Sequence, residues 1–448
     1  MPMAREDIVE TEIPVSQLQI GMHVIRLDRP WENTDFLLQG FILQTEDDVL
    51  AVQQQCETVI VEGKVHVASD PFERSPISSR KTSARNGASG AAATSQSSSS
   101  IPKRKVTYVN KVDARQEMSA ARMSYNEAKA TAKSIMSNLR LGRTLEMNQI
   151  HQVVNSCVDS VLRNDNALLL LTKIKNKDEY TAEHCINVSI LSAAFAKHLG
   201  LLEGEIRTVA LCGLLHDVGK MRIDDEILNK PGALTPEEFA AMKHHTTFGR
   251  DVLAALPRLA HSAVDVAYSH HERMDGKGYP RGLSGHQIPF FAKVVGLVDT
   301  YDAITSSRVY DKGRASMEAL QIIHRNKGAQ FDAELAVEFI RMIGVYPPGS
   351  IVEMTNNEVG IVVTTHANSK LKPRVLLVRD AHKQPLATFR EVDLLKDTPD
   401  SDGQPYKIAR EVPDESYGIV MKDFIEQGIL SRKAPEVSAP VDDGHGEP

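Results

Sequence analysis

The spacing of hydrophobic positions divides the chain into stretches of different character. Between residues 8 and 68, short β-branched runs alternate with turns: Ile13-Pro-Val15, Met22-His-Val-Ile25, Phe36 to Leu43 and Glu57-Thr-Val-Ile-Val61. This is the pattern of a small β-rich module. Ser69 to Lys105 is rich in Ser, Ala and Arg, with four serines at Ser97 to Ser100. It has too few apolar side chains to offset the entropy of ordering and reads as a disordered linker. From Val112 the period becomes helical. Ala120 to Leu139 is rich in Ala, Met and Lys, and Ile150, Val153, Val154, Cys157, Val158, Val161 and Leu162 step by three and four. That stripe fits a core or dimer seam. Helices are expected to about Gly344, including Glu205 to Val218, Pro236 to His244 and Glu334 to Ile343, with Thr235 as N-cap and Pro236 in the first turn.

After Tyr346-Pro-Pro-Gly349 the period changes to two. Ile351-Val352, Val359 to Val363 and Arg374 to Val378 read as a small antiparallel sheet, with a last helix around Val420 to Ile429. The proline-rich acidic end from Ala434 reads as frayed. The expected fold is therefore multidomain: an all-α core flanked by two small β-rich regions. The division is 1–68 β-rich, 69–105 linker, 106–165 helical connector, 166–345 helical core, 346–432 β-rich and 433–448 disordered tail.

Composition narrows the function. A net charge of −7 argues against bulk nucleic-acid binding, so an anionic ligand would have to be held by local charge. Cys56, Cys157, Cys185 and Cys212 are isolated and read as small hydrophobes of a reducing compartment rather than disulfides or a zinc knot. No apolar stretch reaches about 18 residues, and the acidic N-terminus lacks a signal-peptide pattern. A cytoplasmic protein without membrane contact is expected.

The chemistry lies in a scattered set of histidines. His270 and His271 close the apolar run Ala263 to Ser269, and a glycine-punctuated loop follows to Pro280. Alone, such a pair is ordinary filler. Here it has company in His184, His216-Asp217, His245 and Asp299. A buried, uncompensated His-Asp pair would be costly, and a metal resolves that cost. The set holds nitrogen and oxygen ligands without thiolate, which suits iron or manganese as readily as zinc. Seven ligands exceed the needs of one ion and suit two ions sharing Asp217. Such a pair of ions, about 3.5–4 Å apart, can activate water and stabilise the oxygens of an in-line displacement. Lys220, four residues past His216, falls on the same helical face, so it can reach the same site and neutralise charge developing in the transition state.

These motifs, from about Leu168 to Gly344, resemble the HD-GYP domain, the bacterial phosphodiesterase branch of the HD superfamily. The resemblance implies an all-helical fold, hydrolysis of cyclic di-GMP mainly to linear pGpG, with GMP as the alternative end product, and the seven residues His184, His216, Asp217, His245, His270, His271 and Asp299 as ligands of two divalent ions. It makes Asp217 and Lys220 catalytic. It places Lys220, Arg308, Lys312, Gly278 and Tyr279 at the substrate, although Asp311 stands where the family often has a basic residue. Gly278-Tyr279-Pro280 is either a turn that brace the histidines or a surface for diguanylate-cyclase domains. A homodimer is a further expectation. Some HD-GYP domains hold three ions and carry a Glu one turn before the first histidine; here that position is Tyr180, and neither Glu179 nor Glu183 is an obvious substitute. Gln17 to Val24, Pro30-Trp31 and Gln39-Gly-Phe41 resemble the uncharacterised domain that precedes some HD-GYP domains. Two other readings compete: a different HD-type phosphohydrolase, and a catalytically silent scaffold that binds nucleotide or a cyclase.

Overall fold

The computed structural model describes residues 8–29, 41–43, 46–64, 106–174, 180–256, 259–306, 313–366, 369–396 and 398–431. The expected linker, the tail from 433, and Arg308 and Lys312 fall outside these residues. The chain divides into two units, residues 1–99 and 100–448.

In the first unit, β1 (Ile8–Pro14), β2 (His23–Leu27), β3 (Phe41–Ile42), α1 (Glu46–Gln55) and β4 (Thr58–Lys64) form an antiparallel sheet of order β1-β4-β2-β3 with one helix. Strand β1 pairs with β4 from Ile8↔Lys64 to Pro14↔Thr58. Val24, Val59 and Val61 from the strands meet Leu18, Leu43, Val52 and Cys56 in a small core. Helix α1 was not expected from the sequence. Its stripe rests mainly on Val49 and Val52, too short a run to stand out between β-branched segments.

The second unit opens with α2 (Ala114–Arg140), whose start is fixed by a capping box between Asp113 and Gln116. Helices α3 (Met147–Arg163), α4 (Asp165–Leu171), α5 (Tyr180–His198) and α6 (Glu203–Leu215) follow. Almost every described residue of α5 is buried, so it lacks a polar stripe and lies at the centre. Helix α6 packs on it nearly backbone to backbone: a β-carbon on Gly213 would come within 2.9 Å of Ser189 Cα and of the Val188 carbonyl oxygen. The expected helix from Glu205 to Val218 ends at Leu215 instead, and Val218–Arg222 is a 3-10 turn. Helices α7 (Asp225–Leu228), α8 (Pro236–Lys243), α9 (His245–Ala254), α10 (His261–Ser269), α11 (Phe290–Thr305), α12 (Ser316–Arg325) and α13 (Ala333–Ile343) complete the helical core. Thr235 caps α8 with Glu238 in return. Phe339 of α13 packs against Phe195 at 5.1 Å and Tyr301 at 5.2 Å between ring centres, joining α13 to α5 and α11.

Strands β5 (Ile351–Met354), β6 (Val359–His366), β7 (Ser369–Arg379), β8 (Pro385–Asp393) and β9 (Ile408–Val412) form an antiparallel sheet of order β8-β7-β6-β5-β9, followed by α14 (Met421–Glu426). Two more strands are present than the alternation indicated, because β8 and β9 carry charged residues on partly exposed faces. The sheet is tied to the helical core. Glu411 of β9 accepts from the Met317 amide at the start of α12 (3.2 Å), and Thr365 of β6 donates to Asn166 of α4 (3.2 Å). Among the described residues, no helix is long and apolar enough to cross a membrane.

Candidate active site

The ends of the helices deliver the site. His216 is the C-cap of α6, His245 the first residue of α9 and His270 the C-cap of α10. His184 projects from the second turn of α5 and Asp299 from the body of α11. A helix end frees backbone carbonyls, and three of these histidines use one. His216 Nδ1 meets the Gly213 carbonyl at 2.7 Å, His245 Nδ1 that of Met242 at 2.7 Å, and His270 Nδ1 that of Val266 at 3.0 Å. A carbonyl only accepts, so each Nδ1 carries a proton and each Nε2, whose lone pair a metal ion can take, turns inward.

Those lone pairs converge on Asp217. Its Oδ1 lies 3.4 Å from His245 Nε2 and 3.8 Å from His270 Nε2; its Oδ2 lies 3.3 Å from His216 Nε2 and 3.7 Å from His184 Nε2. Asp299 Oδ1 is 3.0 Å from His184 Nε2 and 3.7 Å from His216 Nε2. The seven expected residues are thus gathered into overlapping clusters. His245, His270 and His271 bring ligand atoms within 4.8 Å of one another, as do His184, His216 and Asp299, with Asp217 between the two groups. Acceptors at such distances repel unless a proton or cation lies among them. Among the described residues, His216 Nε2 and Asp217 Oδ1 are buried without a hydrogen-bond partner. This donor set fits divalent metal ions.

Charge is distributed unevenly. Burial works against an ionised Asp217, but Lys220 and His216 hold its carboxyl well below the usual range. His216 shows the opposite balance: burial opposes its charge, yet Asp217 and Asp299 raise it to about 10. Burial and neighbouring imidazoles press His270 well down, and burial takes His271 to about 3. Lys220 donates to Asp217 Oδ2. It does so across the 3-10 turn, three residues on, rather than along a helical face, since α6 has already ended.

The loop after His271 is held tightly. Glu272 accepts from the amides of Arg281 (2.8 Å) and Leu283 (2.9 Å). The Tyr279 amide donates to the His271 carbonyl at 3.2 Å, and its ring lies 4.7 Å from the His271 ring, tilted by 32°. Gly278 sits where a β-carbon would come within 2.5 Å of the Glu272 Cα and the His271 carbonyl. The loop therefore braces His271. Elsewhere two ligand-bearing segments touch through glycine: a β-carbon on Gly219 would collide with the His245 carbonyl, and one on Gly296 with that of His270.

Sequence reasoning missed Asp302. His184 and Asn187 on α5, and Asp299 and Asp302 on α11, are spaced by three, so the two helices meet along one line. His184 Nδ1 lies 2.8 Å from Asp302 Oδ2, Asn187 donates to Asp302 Oδ1 at 3.2 Å, and Tyr125 of α2 donates to Asn187 at 3.4 Å. The i,i+3 carboxylate pair was the available signal. Glu183 points away from the site and pairs with Lys129 of α2 at 2.5 Å. Tyr180 opens α5, but its side chain and Glu179 fall outside the described residues. Cys185 is buried, and that burial raises its thiol well above the usual range, so it stays protonated.

Comparison with known proteins agrees with this architecture. Residues 166–335 match the HD domain, residues 10–150 match a domain of unknown function (DUF3391), and residues 351–399 match a KOW domain associated with HD domains. A cyclic di-GMP phosphodiesterase of Pseudomonas aeruginosa is 32% identical over 439 residues, covering 97% of this chain and 99% of its own. One from Thermotoga maritima is 37% identical over 167 residues, covering 37% of this chain and 45% of its own. A 3′3′-cGAMP-specific phosphodiesterase of Vibrio cholerae is 33% identical over 189 residues, covering 42% and 43%. With its paired histidines followed by Gly278-Tyr279-Pro280, and a relative matched from end to end, the chain belongs to the HD-GYP family.

Proposed function

We propose that this protein is a metal-dependent phosphodiesterase that hydrolyses cyclic di-GMP, mainly to linear pGpG. The carrying observation is the cluster of histidine Nε2 atoms around Asp217, whose two oxygens face different histidines. In this reading His184, His216 and Asp299 hold one divalent ion, His245, His270 and His271 hold a second, and Asp217 is shared. Iron or manganese is the favoured occupant, and two ions rather than three, because Glu183 is engaged with Lys129. Two bound cations supply Lewis acidity and lower the pKa of the attacking water. The protein's own residues do the rest. The Nδ1 hydrogen bonds fix the orientation of the His216, His245 and His270 imidazoles, and Lys220, which donates to Asp217, neutralises charge developing on the phosphoryl oxygens. Arg308 and Lys312 stay in this reading as substrate-holding residues on the family resemblance alone. The division into domains, a cytoplasmic location and a homodimer stay in it on the sequence pattern, and a diguanylate-cyclase partner at the Gly278-Tyr279-Pro280 loop on the resemblance.

A second substrate, 3′3′-cGAMP, has support from the Vibrio cholerae relative. The test is to load the purified protein separately with iron and manganese, count metal per folded chain, and follow both cyclic dinucleotides by product chromatography. The expected result is about two ions per chain and pGpG from cyclic di-GMP, with slower turnover of 3′3′-cGAMP. Metal-replete protein that cleaves neither would make it a silent scaffold.

A further inference from the structure

Beside His270 and His271 opens a cleft of about 280 Å³, lined on one side by α8 and on the other by the loop from Glu272 to Tyr279. Four cationic side chains line it. Arg273 is neutralised by Asp275 (2.9 Å) and Lys293 by Asp332 (3.3 Å). Lys243 and Lys277 make no salt bridge among the described residues. Lys243 instead holds its ammonium between two rings, 4.7 Å from the centre of Phe239 and 5.5 Å from that of Tyr279. Phe239, one helical turn before Lys243, is 45% exposed at the cleft wall. In a chain of net charge −7, two unpaired ammonium groups converging on one cleft mark a site for an anion. An exposed ring beside them adds a face on which a base can stack.

We propose that this cleft is a nucleotide subsite: Lys243 and Lys277 take the phosphate that is not being cleaved, and Phe239 takes the purine of that half. The inference rests on the phosphodiesterase reading and assigns residues that the reading leaves unassigned. Its volume lies at the lower edge of the roughly 300–1,000 Å³ usual for small-ligand sites. That suits one half of a cyclic dinucleotide, while the other half is presented to the histidine cluster. Tyr279 links the two regions, with its ring against both His271 (4.7 Å) and Phe239 (6.4 Å).

The experiment uses full-length, metal-loaded protein and two readouts. The first is calorimetric titration with 5′-GMP, which needs no hydrolysis. Phe239→Ala and Lys243→Met should each weaken binding by about tenfold, the scale of one lost base stack. Phe239→Trp and Lys243→Arg should stay close to wild type, and all variants should keep the wild-type metal content. The second readout is kcat/KM on cyclic di-GMP against bis(4-nitrophenyl) phosphate, which carries neither purine nor second phosphate. The loss on cyclic di-GMP should exceed the loss on the small diester by about tenfold. Equal losses on both substrates, or unchanged GMP binding, would overturn the subsite. If wild-type protein fails to cleave cyclic di-GMP but binds GMP through Phe239 and Lys243, the subsite stands and the substrate assignment falls.

Discussion

Replacing Asp302 by Asn tests whether the carboxylate behind His184 matters to the metal centre. The change is isosteric and 1% exposed, so packing is preserved while hydrogen bonding is not. Asp302 accepts from Asn187 Nδ2 at 3.2 Å and Ser306 Oγ at 3.2 Å, and it faces His184 Nδ1 at 2.8 Å. An amide offers only one acceptor oxygen. Turned toward Asn187, its NH2 meets another NH2; turned toward His184, it needs Nδ1 to accept, which moves the imidazole proton to Nε2 and removes the inward lone pair. Either orientation leaves one buried donor unsatisfied, a cost of roughly 1–3 kcal/mol. Loss of such an outer partner typically weakens metal binding about 10- to 100-fold, or roughly 1.4–2.7 kcal/mol. Chelator competition followed by metal analysis measures this directly. Asp302→Asn should lose metal at a 10- to 100-fold lower chelator concentration than wild type, while its helical circular dichroism is retained. Wild-type metal affinity in that variant would refute the orienting role.

Three further outcomes follow from the same geometry. Asp217→Ala should abolish turnover with helicity largely intact, since this side chain joins the two histidine groups rather than filling the core; near-normal hydrolysis by a metal-replete variant would sink the proposed site. Gly278→Ala places a β-carbon within 2.5 Å of the Glu272 Cα and the His271 carbonyl, and should cost about 1–3 kcal/mol in denaturant unfolding, with weaker metal retention; an unchanged unfolding midpoint would show that the loop can move aside. Deleting Arg80 to Ser100 should leave phosphodiesterase activity per folded molecule within about twofold of wild type, because the composition of that stretch is that of a tether; a large loss without unfolding would give the linker a direct role.

Much of the site was legible because its residues are chemically unusual where they stand. Adjacent histidines at the end of an apolar run, and His-Asp after Leu211 to Leu215, are costly arrangements that apolar packing alone does not explain. The Thr235 cap was legible for a similar reason: its partner Glu238 is local. What escaped was tertiary. Asp302 acts through α5, more than a hundred residues earlier in the chain, and only the meeting of two i,i+3 pairs reveals it. The end of α6 escaped as well, since Val218 continues the apolar pattern while the backbone turns at Asp217. In α1 and β9 the burial that defines the element comes from neighbours, and the local pattern is weak.

The contacts at Gly219 and Gly296 set the dimensions of the histidine cluster by main chain alone. The 3-10 turn bearing Lys220 rests on the carbonyl of His245, and α11 rests on the carbonyl of His270, with no side chain between them to grow or shrink. Swapping one aliphatic residue for another in the surrounding helices therefore alters stability but leaves those separations almost unchanged. Sequence drift in the core is uncoupled from the calibration of the reactive centre. The two glycines are the exception: any larger residue at either position would shift both the spacing and the register of the ligands at once.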